Sequence, residues 1–275
     1  MLNTATHRSR LPQARAIGLL GGSFDPVHRG HLQLARDARD QLGLAEVRWL
    51  PAGQPWQKTG LTPAGHRLAM VRLALQDESR MSVDAREIER DGPSYTIDTL
   101  RELRLALGPQ VPLVLLIGSD QLERLDTWRA WDELLNHAHL AVARRNHAVL
   151  VLNDRLHAWF NTHWAPAAQV HAAAAGCVTE FAMTPVDASA TEARRLLAQP
   201  PSAARDERLA AVVPAAVLDY IDRHRLYRCP LPFSGGILDI QKLQRLVVDA
   251  LEDVKAQDIK VFNTLGLSDM FDRVV

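Results

Sequence analysis

Cysteine is almost absent from this sequence of 275 residues: Cys177 and Cys229 are the only two, far apart and in no ligand-like spacing. That argues against a disulfide framework and against a cysteine-built zinc module, and fits a reducing, cytoplasmic compartment. Net charge is absent as well, because 32 Lys and Arg balance 32 Asp and Glu. Attachment to nucleic acid by bulk charge is therefore not expected, and any anion site must be local. No run of about 18 apolar residues occurs, which removes a transmembrane helix and with it a membrane partner. The first sixteen residues carry Arg8, Arg10 and Arg15 but no apolar run before Ile17, so they do not read as a secretory signal, and residues 1–15 are expected to form a flexible leader. No repeat with a period of about 20 to 50 residues is present. What remains, with 47% hydrophobic residues, is the composition of a globular chain long enough to bury a core.

Strand-like and helix-like segments alternate along it. Ala16–Leu20 is a short apolar run ending at Gly21-Gly22, as expected of a buried strand closing in a tight turn. From Gly30 onward, Leu32, Leu34, Ala35, Ala38 and Leu42 recur at helical spacing, with Gly43 as a stop. The rhythm predicts further strands at Val47–Leu50, Met81–Val83, Val111–Ile117, Leu140–Ala143 and Val178–Met183. It predicts helices at Arg67–Leu75, Thr96–Leu107 and Thr191–Ala198, and a last one whose first turn starts at Pro214, with Val217, Leu218 and Ile221 at helical spacing. The implied fold class is α/β, a Rossmann-like doubly wound parallel sheet with right-handed crossovers. The Ala-rich stretch 165–176 carries no readable pattern. Residues 230–236, rich in Pro and Gly, read as a linker after a domain of residues 16–229. In the remaining segment, 237–275, Leu238, Leu243, Leu246, Val247, Ala250, Leu251 and Val254 mark an amphipathic helix, a small C-terminal helical extension.

The stretch Gly21-Gly22-Ser23-Phe24-Asp25-Pro26-Val27-His28-Arg29-Gly30-His31 joins the first strand to the first helix. Glycines there let backbone N–H groups approach a phosphate, and the helix N-terminus adds a field favourable to anions. His28 and His31, three apart, fall on one side of the helix start, where each imidazole could donate to one triphosphate while Gly30 leaves room for the nucleotide. A glycine pair or a histidine pair alone is more often structural; the combination is not.

These residues resemble the nucleotidyltransferase superfamily with the His-x-Gly-His signature, and the Gly-Gly-Ser-Phe-Asp-Pro lead-in resembles its bacterial nicotinate-nucleotide adenylyltransferase branch. Leu50-Pro-Ala-Gly-Gln-Pro-Trp-Gln-Lys58, Ser94-Tyr95-Thr96, Gly118-Ser-Asp120-Gln-Leu leading to Trp128, Ala143-Arg144-Arg145 and Ala188-Ser189-Ala190-Thr191-Glu192-Ala193-Arg194 are similar to that branch in the same order, over residues 16 to 228. Gln57, Ala190, Ala193 and Asn146-His147 depart from its common pattern.

The resemblance implies transfer of the adenylyl group of ATP to nicotinate mononucleotide, giving the deamido dinucleotide and pyrophosphate in NAD biosynthesis. On it, His28 serves the α-phosphate region, His31 the bridging and β-phosphate region, and Arg194 the β- and γ-phosphates, with Gly21, Gly22, Ser23 and Phe24 forming the ATP loop. Lys58 either closes over the phosphates or is an ordinary solvated lysine. Ser189 and Thr191 help at the helix preceding Arg194, Ser189 also being a candidate N-cap. Asp120 is assigned to ribose hydroxyls, or to capping a helix. For the acceptor, Trp128 offers a flat surface to the pyridine ring or packs in the core, Tyr95 and Thr96 supply donors to its carboxylate, and Arg145 meets its phosphate or merely solvates a strand end. Mg²⁺ is expected with ATP, without dedicated protein ligands.

A second adenylyltransferase of the same fold, such as phosphopantetheine adenylyltransferase, and a non-catalytic ribosome-linked regulatory protein are the alternatives. The latter arises because Leu238 to Lys260 resembles the opening of the ribosome silencing factors. About 39 residues cannot close the domain such a factor needs, so a fused or read-through fragment is favoured over a working ribosome-binding module.

Overall fold

A computed structural model of the chain describes residues 15–55, 60–144 and 150–227, together with the backbone of residues 145, 262–263 and 273–274. Six strands, β1 (Ile17–Gly22), β2 (Glu46–Pro51), β3 (Met81–Val83), β4 (Leu113–Gly118), β5 (His139–Arg145) and β6 (Val178–Met183), form one sheet in the order β3-β2-β1-β4-β5-β6. Every pairing in it is parallel, with Ile17 facing both Glu46 and Leu113, and Gly118 facing Ala143. This is a Rossmann-like doubly wound sheet. The order reverses between β1 and β4, so the crevice for a ligand lies at the carboxyl ends of those two strands.

The strands form because apolar residues can be buried on both faces at once. Along β4, Val114 and Leu116 enter one core while Leu113, Leu115 and Ile117 enter the other; in β1, Leu20 and Leu19 divide the same way. The first core is closed by α1 (Arg29–Gln41), α2 (Ala64–Ala74), α8 (Ala190–Leu197), α9 (Ala203–Val212) and α10 (Ala215–Arg223). The second is closed by α4 (Thr96–Leu107), α6 (Leu134–His137) and α7 (Asp154–His163). Two single-turn helices, α3 (Arg86–Glu89) and α5 (Ser119–Leu122), sit at the carboxyl end of the sheet near the crevice.

Within residues 16–228 the expected strands and helices are present, β3, α4 and β6 with the expected ends and the others with shifted ones. Gly21 and Gly22 do not form the turn after β1; they pair with Leu50 and Pro51 as its last residues, since a parallel ladder asks nothing of their side chains, and the turn falls at Phe24, which holds φ +49°. Pro214 is the N-cap of α10 rather than its first residue, and Gly43, at φ +59°, follows the Leu42 C-cap of α1. The Ala-rich stretch holds a short 3₁₀ turn, Ala167–His171. Its His171 donates through Nε2 to the Leu42 carbonyl at 2.8 Å and accepts the Ala16 N–H through Nδ1.

Chain contacts divide the protein into residues Met1–Arg228 and Cys229–Val275. In the second unit, β7 (Phe262–Asn263) pairs antiparallel with β8 (Arg273–Val274). The amphipathic pattern of Leu238 to Val254 lies outside the described residues. Among the described residues no helix is long and apolar enough to cross a membrane.

Candidate active site

His28 is the N-cap of α1 and His31 its third residue, so the helix start carries both rings to one place. They stack, with centroids 3.7 Å apart and planes 28° from parallel. The His31 Nδ1 accepts the His28 backbone N–H at 3.2 Å, which leaves the proton of a neutral His31 ring on Nε2. Phe24, buried, sets its edge against His31 at 5.0 Å and leans on Trp49 at 5.1 Å. Gly30 is required between the rings. A Cβ there would stand 3.0 Å from His28 Nδ1 and 3.2 Å from the Ala188 carbonyl oxygen. That second contact also shows that the N-terminus of α8 lies against the N-terminus of α1, so two helix ends converge on the histidine pair.

At α8, Ser189 is the N-cap, its Oγ accepting the Glu192 N–H at 3.1 Å. Arg194 donates through Nη1 to the Asp25 carbonyl at 2.5 Å and through Nη2 to Thr191 Oγ1 at 3.4 Å. The loop from Ser23 to Asp25 is held from below by the buried Arg67. Its Nη1 donates to the Ser23 carbonyl (2.8 Å), Nη2 to Gly53 (2.9 Å) and Nε to Thr62 (2.8 Å). Burial lowers the Arg67 pKa, an effect opposed by the nearby Asp25. Arg67 nonetheless stays cationic.

Beside this anion site a cavity of about 150 Å³ opens at the mouth of β1 and β4. Gly21, Gly22 and Ser23 form one wall, Tyr95, Thr96 and the half-buried Trp128 another, with Ile117, Gln121 and Arg129 completing it. Tyr95 is the N-cap of α4, so the first N–H groups of that helix are turned toward the cavity wall. Arg129 lies over the Tyr95 ring at 4.7 Å and pairs with Asp98 at 3.6 Å, which keeps a cation at the rim. Asp120 is exposed in the first turn of α5, whose N-cap is Gly118 and not Asp120. A Cβ at Gly118 would fall 2.5 Å from Asp120 Oδ1, so the Asp120 carboxylate lies directly over that position.

The structure thus brings together Gly21, Gly22, Ser23, Phe24, His28, His31, Ser189, Thr191 and Arg194 on one side, and Tyr95, Thr96 and Trp128 on the other. Asp120 stands just past the end of β4, the strand beside β1. Lys58 and the Arg145 side chain lie outside the described residues. Sequence reasoning missed Arg67, Gln121, Arg129 and Glu87. Glu87, on α3, is a buried carboxyl lining the cavity and accepts the Thr99 hydroxyl at 2.8 Å. Burial lifts its pKa above the ordinary carboxylate range, against the pull of Thr99, Arg90 and Ser94. Ser94 Oγ in turn accepts the Gly53 N–H at 3.0 Å, tying the segment after β2 to the start of α4.

A glycine-led loop, a histidine pair at a helix start and a cavity at the switch point of a 3-2-1-4-5-6 sheet define a nucleotidyltransferase of the Rossmann-like class. Residues 19–195 match the cytidylyltransferase-like family. The chain is 44% identical over 223 residues to the probable nicotinate-nucleotide adenylyltransferase of Pseudomonas putida (strain W619), covering 81% of this chain and 99% of the relative. It is 42% identical over 217 residues to that of Dechloromonas aromatica, covering 77% and 97%. The chain therefore belongs to the cytidylyltransferase-like family, among the nicotinate-nucleotide adenylyltransferases. The same fold occurs in the Plasmodium falciparum nicotinic acid mononucleotide adenylyltransferase complexed with NaAD, at TM-score 0.59 and 18% identity over 78% of this chain and 97% of that one.

Proposed function

We propose that the protein transfers the adenylyl group of ATP to nicotinate mononucleotide, forming nicotinate adenine dinucleotide and pyrophosphate, as an enzyme of NAD biosynthesis in the cytoplasm. The observation that carries this reading is the adjacency of two sites of different chemistry. One is an anion site made of His28, His31, Arg194 and two helix N-termini; the other is a small flat-walled cavity with Trp128, Tyr95 and Thr96. A triphosphate suits the first and a pyridine ring the second.

The mononucleotide 5′-phosphate attacks the α-phosphorus of ATP; a new P–O bond forms and the bond to the β-phosphate breaks, releasing pyrophosphate. The attacking monoester is already anionic at neutral pH, so no general base is needed, and positioning plus charge stabilisation supply the acceleration. His28 donates at the α-phosphate, and the His31 Nε2–H at the bridging and β-phosphate oxygens, where charge grows as pyrophosphate departs. Arg194 holds the β- and γ-phosphates with the N–H groups that Asp25 and Thr191 leave over. Gly21, Gly22, Ser23 and Phe24 shape the ATP loop, with Ser189 and Thr191 at the second helix end and Lys58 closing over the phosphates. Asp120 takes ribose hydroxyls, Trp128 stacks on the pyridine, the first N–H groups of α4 at Tyr95 and Thr96 meet its carboxylate, and Arg145 meets the acceptor phosphate.

Arg67 and Arg194 are cations held at the loop, and the Asp25 carboxylate there is taken up by the Tyr227 hydroxyl and the Thr62 N–H. This donor set fits an ion that arrives on ATP, ligated by phosphate oxygens and water. Held in that way, Mg²⁺ would supply charge neutralisation for the departing pyrophosphate.

Purified protein given ATP, Mg²⁺ and an equal mixture of nicotinate mononucleotide, nicotinamide mononucleotide and pantetheine phosphate should yield nicotinate adenine dinucleotide as the main product on chromatography. Equal turnover of pantetheine phosphate would sink the reading.

A further inference from the structure

Phe24 is a non-glycine residue in the left-handed region, a conformation that persists only where its surroundings over-determine it. The next residue, Asp25, is where those surroundings act. Its carboxylate is buried and accepts the Tyr227 hydroxyl through Oδ1 at 2.6 Å and the Thr62 backbone N–H through Oδ2 at 3.3 Å. Its backbone carbonyl accepts Arg194 Nη1 at 2.5 Å. One residue is therefore gripped by its side chain from the C-terminal end of the first unit, and itself grips the guanidinium assigned to the triphosphate. Tyr227 sits just past α10, and none of the sequence motifs includes it as a functional group.

We infer that Tyr227 is a positioning residue for the triphosphate grip, acting through Asp25 on Arg194. The inference rests on the ATP-dependent reading above. The phenol directs the Asp25 carboxylate, the Asp25 peptide then presents its carbonyl in one orientation, and Arg194 is anchored by one nitrogen with its remaining donors facing the phosphates. Thr62 contributes twice, by its backbone N–H to Asp25 and by its side chain to the phenol. Burial, with Asp25 second, pushes the phenol pKa well above its ordinary value, so it remains a donor at every working pH.

Tyr227→Phe keeps the ring packed on the first core and deletes the hydroxyl donor. The expected result is a rise of about three- to tenfold in KM for ATP, the scale of one lost hydrogen bond, with KM for the acceptor changed less than twofold. A purely structural role would not split the two constants. In an Arg194→Ala background the same substitution should change KM for ATP less than twofold, because the path from Tyr227 is already cut. An equal effect in both backgrounds, or a lowered Tm with unchanged ATP parameters, would overturn the inference. Calorimetric binding of a non-hydrolysable ATP analogue to the full chain supplies the same comparison without turnover. If the wild-type protein binds the analogue but forms no dinucleotide, it is the function that fails, and the Tyr227 comparison still reads out.

Discussion

The His28 and His31 rings lie face to face, 3.7 Å between centroids, and the main-chain N–H of the first is bonded to Nδ1 of the second. The two imidazoles are thus one unit: His31 cannot turn without releasing the N-cap of α1, and that bond leaves the proton of the neutral ring on Nε2.

If that Nε2–H stabilises charge on the departing pyrophosphate, His31→Ala lowers kcat by roughly 10²-fold or more, the range for loss of one preorganised donor. Steady-state kinetics at saturating ATP checks this. A loss under about threefold would make His31 structural.

Gly30→Ala tests the same unit by crowding. The added methyl meets the His28 ring and the Ala188 carbonyl, and since the carbonyl belongs to backbone, the ring has to move. A displacement of that kind is expected to cost tenfold or more in kcat/KM for ATP, with α1 still folded by circular dichroism. Wild-type kinetics in this variant would mean that the stacked geometry is irrelevant to turnover.

The cavity at the α4 N-terminus should prefer an acid to an amide. Helix N–H groups offer fixed donors and Arg129 a cation at the rim, so an amide leaves one donor facing an NH₂ group. The kcat/KM for nicotinate mononucleotide is expected to exceed that for nicotinamide mononucleotide by at least ~10²-fold. Comparable values would refute the assignment of Tyr95 and Thr96.

Much of this was legible in the chain, for identifiable reasons. α4 and β6 lie where apolar periodicity sets them, because Ile97, Leu100 and Leu103 bury one helix face and Val178, Phe181 and Met183 are buried along the strand. α7 and α9 escaped notice because each buries only two residues, Leu156 with Phe160 and Leu209 with Val212, as α10 does, and neither has as its N-cap the proline that marked α10. In the site, His28, His31 and Arg194 stand out as motif residues. Arg67 does not: in sequence it is one more arginine on a helix, and its three partners are backbone carbonyls, which have no letter of their own. Glu87 is hidden for a related reason, since burial of a charge depends on what the fold lays over it.

Glu87 also gives stability a sign with pH. Burial raises its folded pKa above the unfolded value, so between the two the native state holds a proton the unfolded chain has lost, and stability falls as pH rises through that window. Urea unfolding from about pH 4 to pH 7 should show that falling contribution in the wild type and a flatter profile in Glu87→Gln. Identical profiles would remove Glu87 as its source.

Residues 237–275 are proposed to be dispensable for the reaction. A chain ending at Phe233 retains Tyr227 and should keep its adenylyltransferase activity within a factor of about two, while the full chain should not co-sediment with large ribosomal subunits at a salt concentration that strips weak, charge-driven binding. Salt-resistant co-sedimentation that disappears on truncation would instead make the protein bifunctional.

The bond between Asp25 and Tyr227 joins residues 202 positions apart. Synthesis runs from the N-terminus, so the glycine-led loop leaves the ribosome well before the residue that completes it. A nascent chain interrupted anywhere before Tyr227 carries the whole histidine signature and still lacks the hydroxyl that closes the Asp25 contact. On the inference drawn above, the triphosphate grip gains its last support only when that residue has been made.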